Sequence, residues 1–197
     1  MHCLFNRFSI DPHVVETSAG VFLFYAEDNR ETDRVGTRIF VDRLLDPFTP
    51  AGIRREVLTP SFDEEIFKRN RFGDGKDWHT LEGPFWIERD GWQYLMYSGA
   101  CYENDTYHIG YAAAHTDEPD LCKVEFVKHT KNGAFDPLMI KNETEEGTGH
   151  HSVIRICGQD YVVYHGRDRI PEAKAGERRT ARYCRLAAED GILKVER

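Results

Sequence analysis

Three ionisable residues, Asp11, Glu82 and His150, stand at the head of three similar stretches of this 197-residue chain. Carboxyl and imidazole groups exchange protons, and burial or a neighbouring charge moves their pKa values toward the pH at which they work. Two carboxylates and an imidazole are therefore candidates for acid–base chemistry, provided that the fold brings the three stretches to one place.

The three stretches follow one pattern, in which the ionisable residue precedes an extended segment, a turn and a second extended segment that ends at a tyrosine. Tyr25, Tyr97 and Tyr164 lie 14, 15 and 14 positions after the ionisable residues, and 72 and 67 residues separate successive tyrosines. A repeat of this length, built from alternating strands, is typical of a β-propeller blade. We therefore predict that the three ionisable residues occupy one structural position in successive blades and converge on the central channel.

Each hairpin is followed by a third strand candidate and then by a short polar fourth one, which makes the four strands of a blade. The predicted third strands are 37–41, 107–112 and 181–186, and the predicted fourth strands are 54–58, 123–127 and 192–195. A helical turn or two is predicted around 62–68 alone. The sequence thus predicts an all-β fold, a single partial β-propeller domain over 1–197 with blades at about 8–60, 78–130 and 147–197.

Charge and composition exclude several kinds of partner. The net charge is -8 and the pI is near 5.6, whereas nucleic acid and anionic membrane surfaces require a basic face. The first residues lack the apolar stretch of a signal peptide, and no run of eighteen apolar residues occurs, which predicts a soluble, cytoplasmic protein. The five cysteines form no CxxC pair, which indicates reduced thiols.

Three blades do not close a propeller ring. Each blade packs against two neighbours, so an open arc leaves large apolar sheet faces exposed. We therefore expect a partner chain to complete the propeller, or two copies of this chain to join as a homodimer through a self-complementary interface.

A set of short motifs runs along the chain in a fixed order: Asp11-Pro12, Glu82-Gly83-Pro84, Gly147-Thr148-Gly149-His150-His151-Ser152, Tyr164-His165-Gly166-Arg167, Arg185-Leu186 and Asp190-Gly191. In this order and spacing the motifs resemble the last three blades of glycoside hydrolase family 43, whose members are five-bladed propellers. The resemblance spans essentially the whole chain. It implies a glycosidase of the arabinofuranosidase or xylosidase type that acts on plant polysaccharides or oligosaccharides.

The resemblance also implies a role for each motif residue. Glu82 corresponds to the general acid, Asp11 to the residue that orients the acid and tunes its pKa, and His150 to a histidine at the channel centre. An inverting mechanism also needs a carboxylate on the opposite face of the sugar to activate water. Nothing in the chain matches that base, whose motif would lie before Met1, so we expect a second copy or a partner to supply it. The resemblance implies no required cofactor but allows calcium near His150, held through water.

Sugar recognition uses aromatic rings for the faces of the sugar and planar donors for its hydroxyl groups. Phe85 and Trp86 flank the acid, and His150 is a further candidate for substrate contact. Arg179 lies in a stretch where the family often places a substrate-contacting arginine, although the adjacent Arg178 leaves the register open.

Each of these assignments has a structural alternative. Asp11 before a proline can simply start a turn, His150 can be a core histidine, and the aromatic rings can pack between blades. A zinc site formed by His150, His151 and His165 is disfavoured, because adjacent strand residues point to opposite faces and no cysteine or carboxylate has ligand spacing with them.

Three functions remain open at this point. The first is a glycosidase, and the second is a carbohydrate-binding remnant that has lost the catalytic base. The third, a protein-binding propeller scaffold, is disfavoured because such repeats run to roughly 40–50 residues and lack paired carboxylates at the channel.

Overall fold

The computed structural model describes residues 3–169 and 178–197. Within these residues the chain forms seventeen strands and one short 3₁₀ helix, Asp63–Glu65. The strands are β1 (Ser9–Thr17), β2 (Gly20–Asn29), β3 (Gly36–Asp46), β4 (Thr49–Pro50), β5 (Arg55–Leu58), β6 (Ile66–Lys68), β7 (Trp78–His79), β8 (Leu81–Arg89), β9 (Trp92–Gly99), β10 (His108–His115), β11 (Val127–Lys128), β12 (Thr130–Lys131), β13 (Ala134–Phe135), β14 (Glu145–Ile156), β15 (Gln159–Asp168), β16 (Thr180–Glu189) and β17 (Ile192–Glu196).

Three sheets contain all the long strands, and each sheet is built on four antiparallel strands that follow one another along the chain. The first sheet contains β1, β2, β3 and β5, with β4, β6 and β7 added at its margin. The second sheet runs β8-β9-β10-β11 and the third runs β14-β15-β16-β17, while β12 and β13 form a small separate hairpin. The predicted all-β class and the four-stranded blades of a partial propeller are confirmed.

Alternation of apolar side chains places the three sheets face to face. In β9, Leu95 and Tyr97 pack toward the first sheet, whereas Tyr94 and Met96 pack toward the third, as expected for a period of two residues. Burial of both faces of the middle sheet is the main force that holds the sheets in a row. As a result the innermost strands β1, β8 and β14 lie side by side.

Two of the repeat tyrosines are anchored by buried glutamates. Tyr97 Oη donates to Glu65 Oε1 at 3.0 Å, and Tyr164 Oη donates to both carboxylate oxygens of Glu145 at 3.0 and 3.1 Å. Lys128 Nζ donates to Glu65 Oε1 at 2.5 Å and balances its charge. Because a buried carboxylate needs partners of this kind, these bonds fix the tyrosines relative to the neighbouring segments.

The predicted fourth strand of the middle sheet is displaced toward the C-terminus. Instead of 123–127, the strand is β11, which pairs with β10 through Lys128 and Val127. A turn precedes it, in which the Asp120 carboxylate accepts the N–H of Cys122 at 3.2 Å and the Asp120 carbonyl accepts the N–H of Lys123 at 2.8 Å. These bonds occupy backbone donors that a strand would need, so the pairing begins later.

The predicted helix around 62–68 is also shorter than expected. The Glu65 carboxylate accepts the N–H groups of Ser61 and Phe62 at 2.7 and 3.1 Å, which closes one turn, and the chain then continues as β6. Within the two described segments, no helix is long and apolar enough to span a membrane.

Candidate active site

A β-bulge interrupts the first strand of each sheet at the motif residues. In β1, Asp11 and Pro12 together lie opposite a single residue of β2, and the same irregularity recurs in β8 and β14. The first residue of each bulge is left-handed, with φ of 56° at Asp11, 57° at Gly83 and 50° at His150. Such bulges bend a strand and re-aim its side chains. A left-handed aspartate or histidine is sterically costly, so the surrounding contacts must hold it there.

The structural equivalent of Asp11 and His150 is Gly83, and Glu82 lies one residue earlier. Glu82 pairs with Ser98 of β9, which directly follows the repeat tyrosine, and the bulge comes after this pair. The prediction that the three ionisable residues share one position is therefore wrong by one residue for Glu82. This offset explains why Glu82 lies 15 positions before its tyrosine, whereas the other two residues lie 14 before theirs.

The Glu82 carboxyl is partly buried and hydrogen-bonded on one oxygen. Tyr107 Oη donates to Glu82 Oε1 at 2.5 Å. Burial raises the pKa of Glu82 above its ordinary value, and the negative charge of Asp11 raises it further. The hydrogen bond from Tyr107 and the charges of His150 and Arg179 act in the opposite direction without reversing this pKa shift. Glu82 is thus a carboxyl group that keeps its proton to a higher pH than an exposed one.

The Asp11 carboxylate links the first two sheets. Its Oδ2 atom accepts the backbone N–H of Gly83 at 2.9 Å, and its Oδ1 atom lies 3.9 Å from His150 Nε2. The side chain is 16% exposed. The bond to Gly83 holds a second carboxylate next to Glu82, so Asp11 does more than start a turn.

The His150 side chain faces solvent and its backbone is tied to the middle sheet. The N–H of His150 donates to Ser98 Oγ at 2.8 Å, while the imidazole is 49% exposed. Its ring lies parallel to that of His165, with centroids 6.2 Å apart. This exposure argues against the alternative of a core histidine and leaves the ring accessible beside the carboxylates.

Arg179 and His165 complete the cationic side of the site. Arg179 Nη1 lies 3.4 Å from His165 Nε2, and its guanidinium lies 4.6 Å above the ring of Tyr102. Burial lowers the pKa of His165 to about 4, and the charges of Arg179 and His150 add to this effect. His165 is therefore neutral at neutral pH and able to accept a hydrogen bond from Arg179. The structure thus places Arg179 of the arginine pair at the site.

Phe85 and Trp86 are partly buried and pack between sheets. Phe85 stacks on His13 with centroids 4.2 Å apart and contacts the hydrophobic cluster shared with the third sheet. Trp86 Nε1 donates to Gln93 Oε1 at 3.1 Å, and its ring packs on the cluster shared with the first sheet. These contacts fit the packing alternative, and a role of either ring in sugar binding stays a prediction.

The structure brings no ligand set together around a metal. Among the described residues, no group of three or more His, Cys, Asp or Glu side chains has the arrangement needed to hold a metal ion. In the disfavoured zinc trio, His151 is buried and both of its ring nitrogens lack a hydrogen-bond partner. Calcium prefers six to eight oxygen ligands, and the Asp11 carboxylate is the acidic group beside His150. Calcium there stays a prediction, and water would have to supply most of its ligands.

Three contributors to the site were not assigned a role there from the sequence. Tyr107 begins the predicted third strand of the second repeat and directly precedes β10, a position where an aromatic residue is indistinguishable from a core residue. Ser98 directly follows the repeat tyrosine, and this adjacency to the motif is a usable signal. His165 belonged to the quoted motif and to the disfavoured zinc trio, but no pattern indicated that its ring would stack on Tyr107, with centroids 5.7 Å apart and planes 9° apart.

Together these groups place a carboxyl of raised pKa next to a second carboxylate, with accessible nitrogen donors nearby. The first carboxyl can supply a proton to a leaving oxygen, while the second carboxylate favours its protonated state by like-charge repulsion. The donors can bind hydroxyl groups of a polar substrate.

The model of the family described as glycosyl hydrolases family 43 matches residues 1–193, and no curated protein matches the chain. A solved thermostable family-43 glycoside hydrolase is 31% identical with a TM-score of 0.75, and the match covers 98% of this chain and 60% of that one.

Two further solved structures share the fold at lower identity. The α-L-arabinofuranosidase from Lactobacillus brevis is 21% identical with a TM-score of 0.77, covering 96% of this chain and 56% of that one. The endo-1,4-β-xylanase from Bacteroides thetaiotaomicron is 23% identical with a TM-score of 0.75, covering 98% and 60%. The chain therefore spans a little under two thirds of the length of each of these three structures.

Proposed function

The chain belongs to glycosyl hydrolase family 43, and on that premise we propose that it is an O-glycosidase that cleaves arabinofuranosyl or xylosyl linkages of plant polysaccharides or oligosaccharides. The main support for the proposal is the Glu82 carboxyl. It accepts a hydrogen bond from Tyr107, and burial together with the charge of Asp11 raises its pKa. The names of two related structures, an α-L-arabinofuranosidase and an endo-1,4-β-xylanase, support these two sugar classes.

In the proposed mechanism Glu82 is the general acid of an inverting hydrolysis. Its proton passes to the glycosidic oxygen as the bond from that oxygen to the anomeric carbon breaks. A base removes a proton from the water that attacks the opposite face of the sugar, so the anomeric configuration inverts. Acid assistance of this kind typically contributes about 10²- to 10⁴-fold in rate.

Asp11 is the proposed modulator of this acid. The bond from the Gly83 N–H holds its carboxylate in place, and its charge is one of the causes that raise the pKa of Glu82. His150 and Arg179 are the proposed substrate contacts, because both present nitrogen donors beside the carboxylates. An acid flanked by a fixed carboxylate and by donors for hydroxyl groups suits a sugar whose leaving oxygen must be protonated.

The catalytic base is the part of the mechanism that we assign to a second chain. The family's base motif has no counterpart in this sequence. We propose that a separate partner supplies the base while completing the propeller, or that a second copy does so with a carboxylate outside that motif. Exposed apolar side chains on the outer face of the third sheet support this assignment. Ile154, Ile156, Val163 and Tyr183 are 48%, 51%, 37% and 74% exposed there, and a contiguous apolar surface of this kind commonly marks an interface.

We also propose the cytoplasm as the location. All five cysteines, Cys3, Cys101, Cys122, Cys157 and Cys184, are free thiols, and free thiols are the usual state in a reducing compartment.

The primary test is a rate assay with nitrophenyl α-L-arabinofuranoside and nitrophenyl β-D-xyloside. Glu82→Gln keeps the size of the side chain but carries no transferable proton, and we expect it to lower kcat by at least about 10²-fold. Glu88→Gln is the matched control, because Glu88 is an exposed glutamate of the same strand. Equal activity of the wild type and Glu82→Gln would contradict the assignment of the acid.

A second arm of the assay addresses the base. Azide can attack an activated glycoside without general-base help, so turnover that azide restores, with a glycosyl azide of inverted configuration as product, would place the base outside the isolated chain. A wild-type protein that binds arabino- or xylo-oligosaccharides but shows no turnover with or without azide would favour the alternative of a carbohydrate-binding remnant.

Light scattering tests the assembly. A homodimer joined through the third sheet should dissociate in Tyr183→Asp, because a buried charge is costly. Val127→Asp is the control, since Val127 is 72% exposed and lies in β11 of the middle sheet. A monodisperse wild-type monomer would exclude the homodimer and leave a separate partner chain.

A further inference from the structure

We propose that Tyr107 is a positioning residue for the general acid: its hydroxyl group donates a hydrogen bond to Glu82 Oε1, so that Glu82 carries its transferable proton on Oε2. This inference rests on the proposed function, because it names the oxygen that Glu82 uses as an acid. The carrying observation is the 2.5 Å hydrogen bond from Tyr107 Oη to Glu82 Oε1, made by a tyrosine that is 0% exposed.

Three contacts hold the Tyr107 ring in place. The ring stacks on that of His165 at 5.7 Å between centroids, and the Tyr107 N–H donates to the Asn104 carbonyl at 3.4 Å. Gly149 makes room for it, since a Cβ at this position would lie 2.0 Å from Tyr107 Cε1. A fully buried ring that is stacked on a neighbour loses little further entropy when it binds a carboxyl group, which is what a preorganised contact requires.

The hydrogen bond to Glu82 gives the tyrosine hydroxyl a direction, because its proton points toward Oε1. Ser98 lies on the other side of this arrangement: the backbone N–H of His150 donates to Ser98 Oγ at 2.8 Å, and Ser98 acts to lower the pKa of Tyr107, against the larger effect of burial. Neighbouring polar groups of this kind reinforce one another.

The tyrosine remains a donor throughout the pH range of an assay. Burial raises the pKa of Tyr107 well above its ordinary value, and the charge of Glu82 adds to this effect. A donor that cannot lose its proton requires an acceptor, and in a protonated carboxyl group only the carbonyl-type oxygen accepts well. With Oε1 in that role, the hydroxyl proton of Glu82 resides on Oε2. In the reaction the Oε2–H bond breaks, the proton joins the leaving oxygen, and Glu82 becomes a carboxylate that still accepts from Tyr107.

Tyr107→Phe separates this role from simple packing, because it keeps the ring and removes the hydroxyl. For phenyl glycosides, whose poor leaving group needs the proton most, we expect kcat to fall about 10- to 100-fold, part of the usual contribution of a general acid. For dinitrophenyl glycosides, which leave without protonation, kcat should change less than about 2-fold. Tyr111→Phe is the matched control, since its buried hydroxyl accepts the N–H of Leu193 in another part of the fold.

The pH dependence provides a readout that loss of packing would not move in the same way. The hydrogen bond from Tyr107 favours the ionised form of Glu82, so its removal should shift the alkaline limb of the kcat profile to higher pH. The charged or titratable groups that face Glu82 from other elements, Asp11, His150 and Arg179, are unchanged in this variant. A lower rate together with a later alkaline limb is the expected signature.

Direct titration of the Glu82 carboxyl by ¹³C NMR keeps this inference distinct from the proposed function. If the wild type shows no turnover either with or without azide, the glycosidase proposal fails, and the titration still decides the role of Tyr107. A higher carboxyl pKa in Tyr107→Phe supports it, and an unchanged titration overturns it. If Tyr107→Phe does not fold, Ser98→Ala is used instead, with a smaller shift expected in the same direction. Equal loss of kcat for poor and good leaving groups would also overturn the inference.

Discussion

Because two histidines are buried in the fold, we expect the protein to lose stability steeply in mild acid. His108 is 0% exposed, and its Nδ1 atom lies 3.1 Å from the Thr106 carbonyl, while Nε2 has no partner. His151 is 6% exposed and neither of its nitrogens has a partner. Burial lowers the pKa of His108 to about 4 and that of His151 to about 3, from an ordinary value of 6.5. Both rings are therefore neutral in the folded protein at neutral pH.

The sign and size of the effect follow from proton linkage. Between pH 6.5 and the folded pKa values, the unfolded chain binds protons at these two rings and the folded chain does not, so acid favours unfolding. The stabilisation is complete above pH 6.5 and is lost as the pH falls toward 4. Each of the two histidines therefore lowers the free energy of unfolding at pH 5 by about 2 kcal/mol relative to pH 7, or by about 4 kcal/mol for the pair. Because a domain typically has about 5–15 kcal/mol of stability in total, this loss is large.

The assay is urea unfolding of the whole chain, followed by tryptophan fluorescence at pH 7, 6 and 5. We expect the free energy of unfolding to fall by at least about 4 kcal/mol from pH 7 to pH 5, since His165, whose pKa is also lowered to about 4, adds to the effect of the pair. His151→Leu, which cannot be protonated, should remove about 2 kcal/mol of this dependence. The exposed His115, changed to Gln, is the control and should keep the wild-type profile. A stability that is the same at pH 5 and pH 7, or a His151→Leu profile identical to that of the wild type, would refute the reasoning.

Two further changes have defined outcomes. Lys128→Met removes the cation beside the fully buried Glu65 and should lower the free energy of unfolding, measured in urea, by about 3–5 kcal/mol. Adding Glu65→Gln to this variant should recover part of the lost stability. Additive effects of the two substitutions would contradict a charge pair. Asp11→Asn removes the negative charge that raises the pKa of Glu82, so the alkaline limb of kcat should move to lower pH, opposite to the shift expected when the tyrosine hydroxyl is removed. An unmoved limb would mean that Asp11 acts through position alone.

The sheet architecture was largely predictable because its signals are local. Alternation in Tyr94-Leu95-Met96-Tyr97 and the turns between strands depend on residues next to one another, and the predicted hairpins form. The one misplaced strand follows a turn in which the Asp120 side chain occupies a backbone donor, and the shortened helix ends where a glutamate side chain bonds to its own loop. Both errors arise from side-chain bonds to backbone, which alternation does not report.

The candidate site was predictable in its members but not in its contacts. Asp11 and His150 were singled out because they stand at one point of a repeat, Glu82 because it stands one residue before that point, and Arg179 because of its place in a resembling motif. Phe85 and Trp86 were proposed for sugar binding by their adjacency to the acid, and their partly exposed rings also pack between sheets. Adjacency in a strand does not determine which surface a side chain shares with a neighbouring sheet.

The sequence by itself determined the repeat, the all-β class and the ionisable residues available for chemistry, since these depend on local pattern and residue type. Only the tertiary structure decided which groups meet. The Gly83 N–H reaches Asp11 across 72 positions, and Tyr107 reaches Glu82 across 25. Burial raises the pKa of Glu82, the Tyr107 hydrogen bond opposes this rise, and the charge of Asp11 adds to it. Desolvation and proximity are properties of the packed sheets, and they arise only when segments distant in the chain come together.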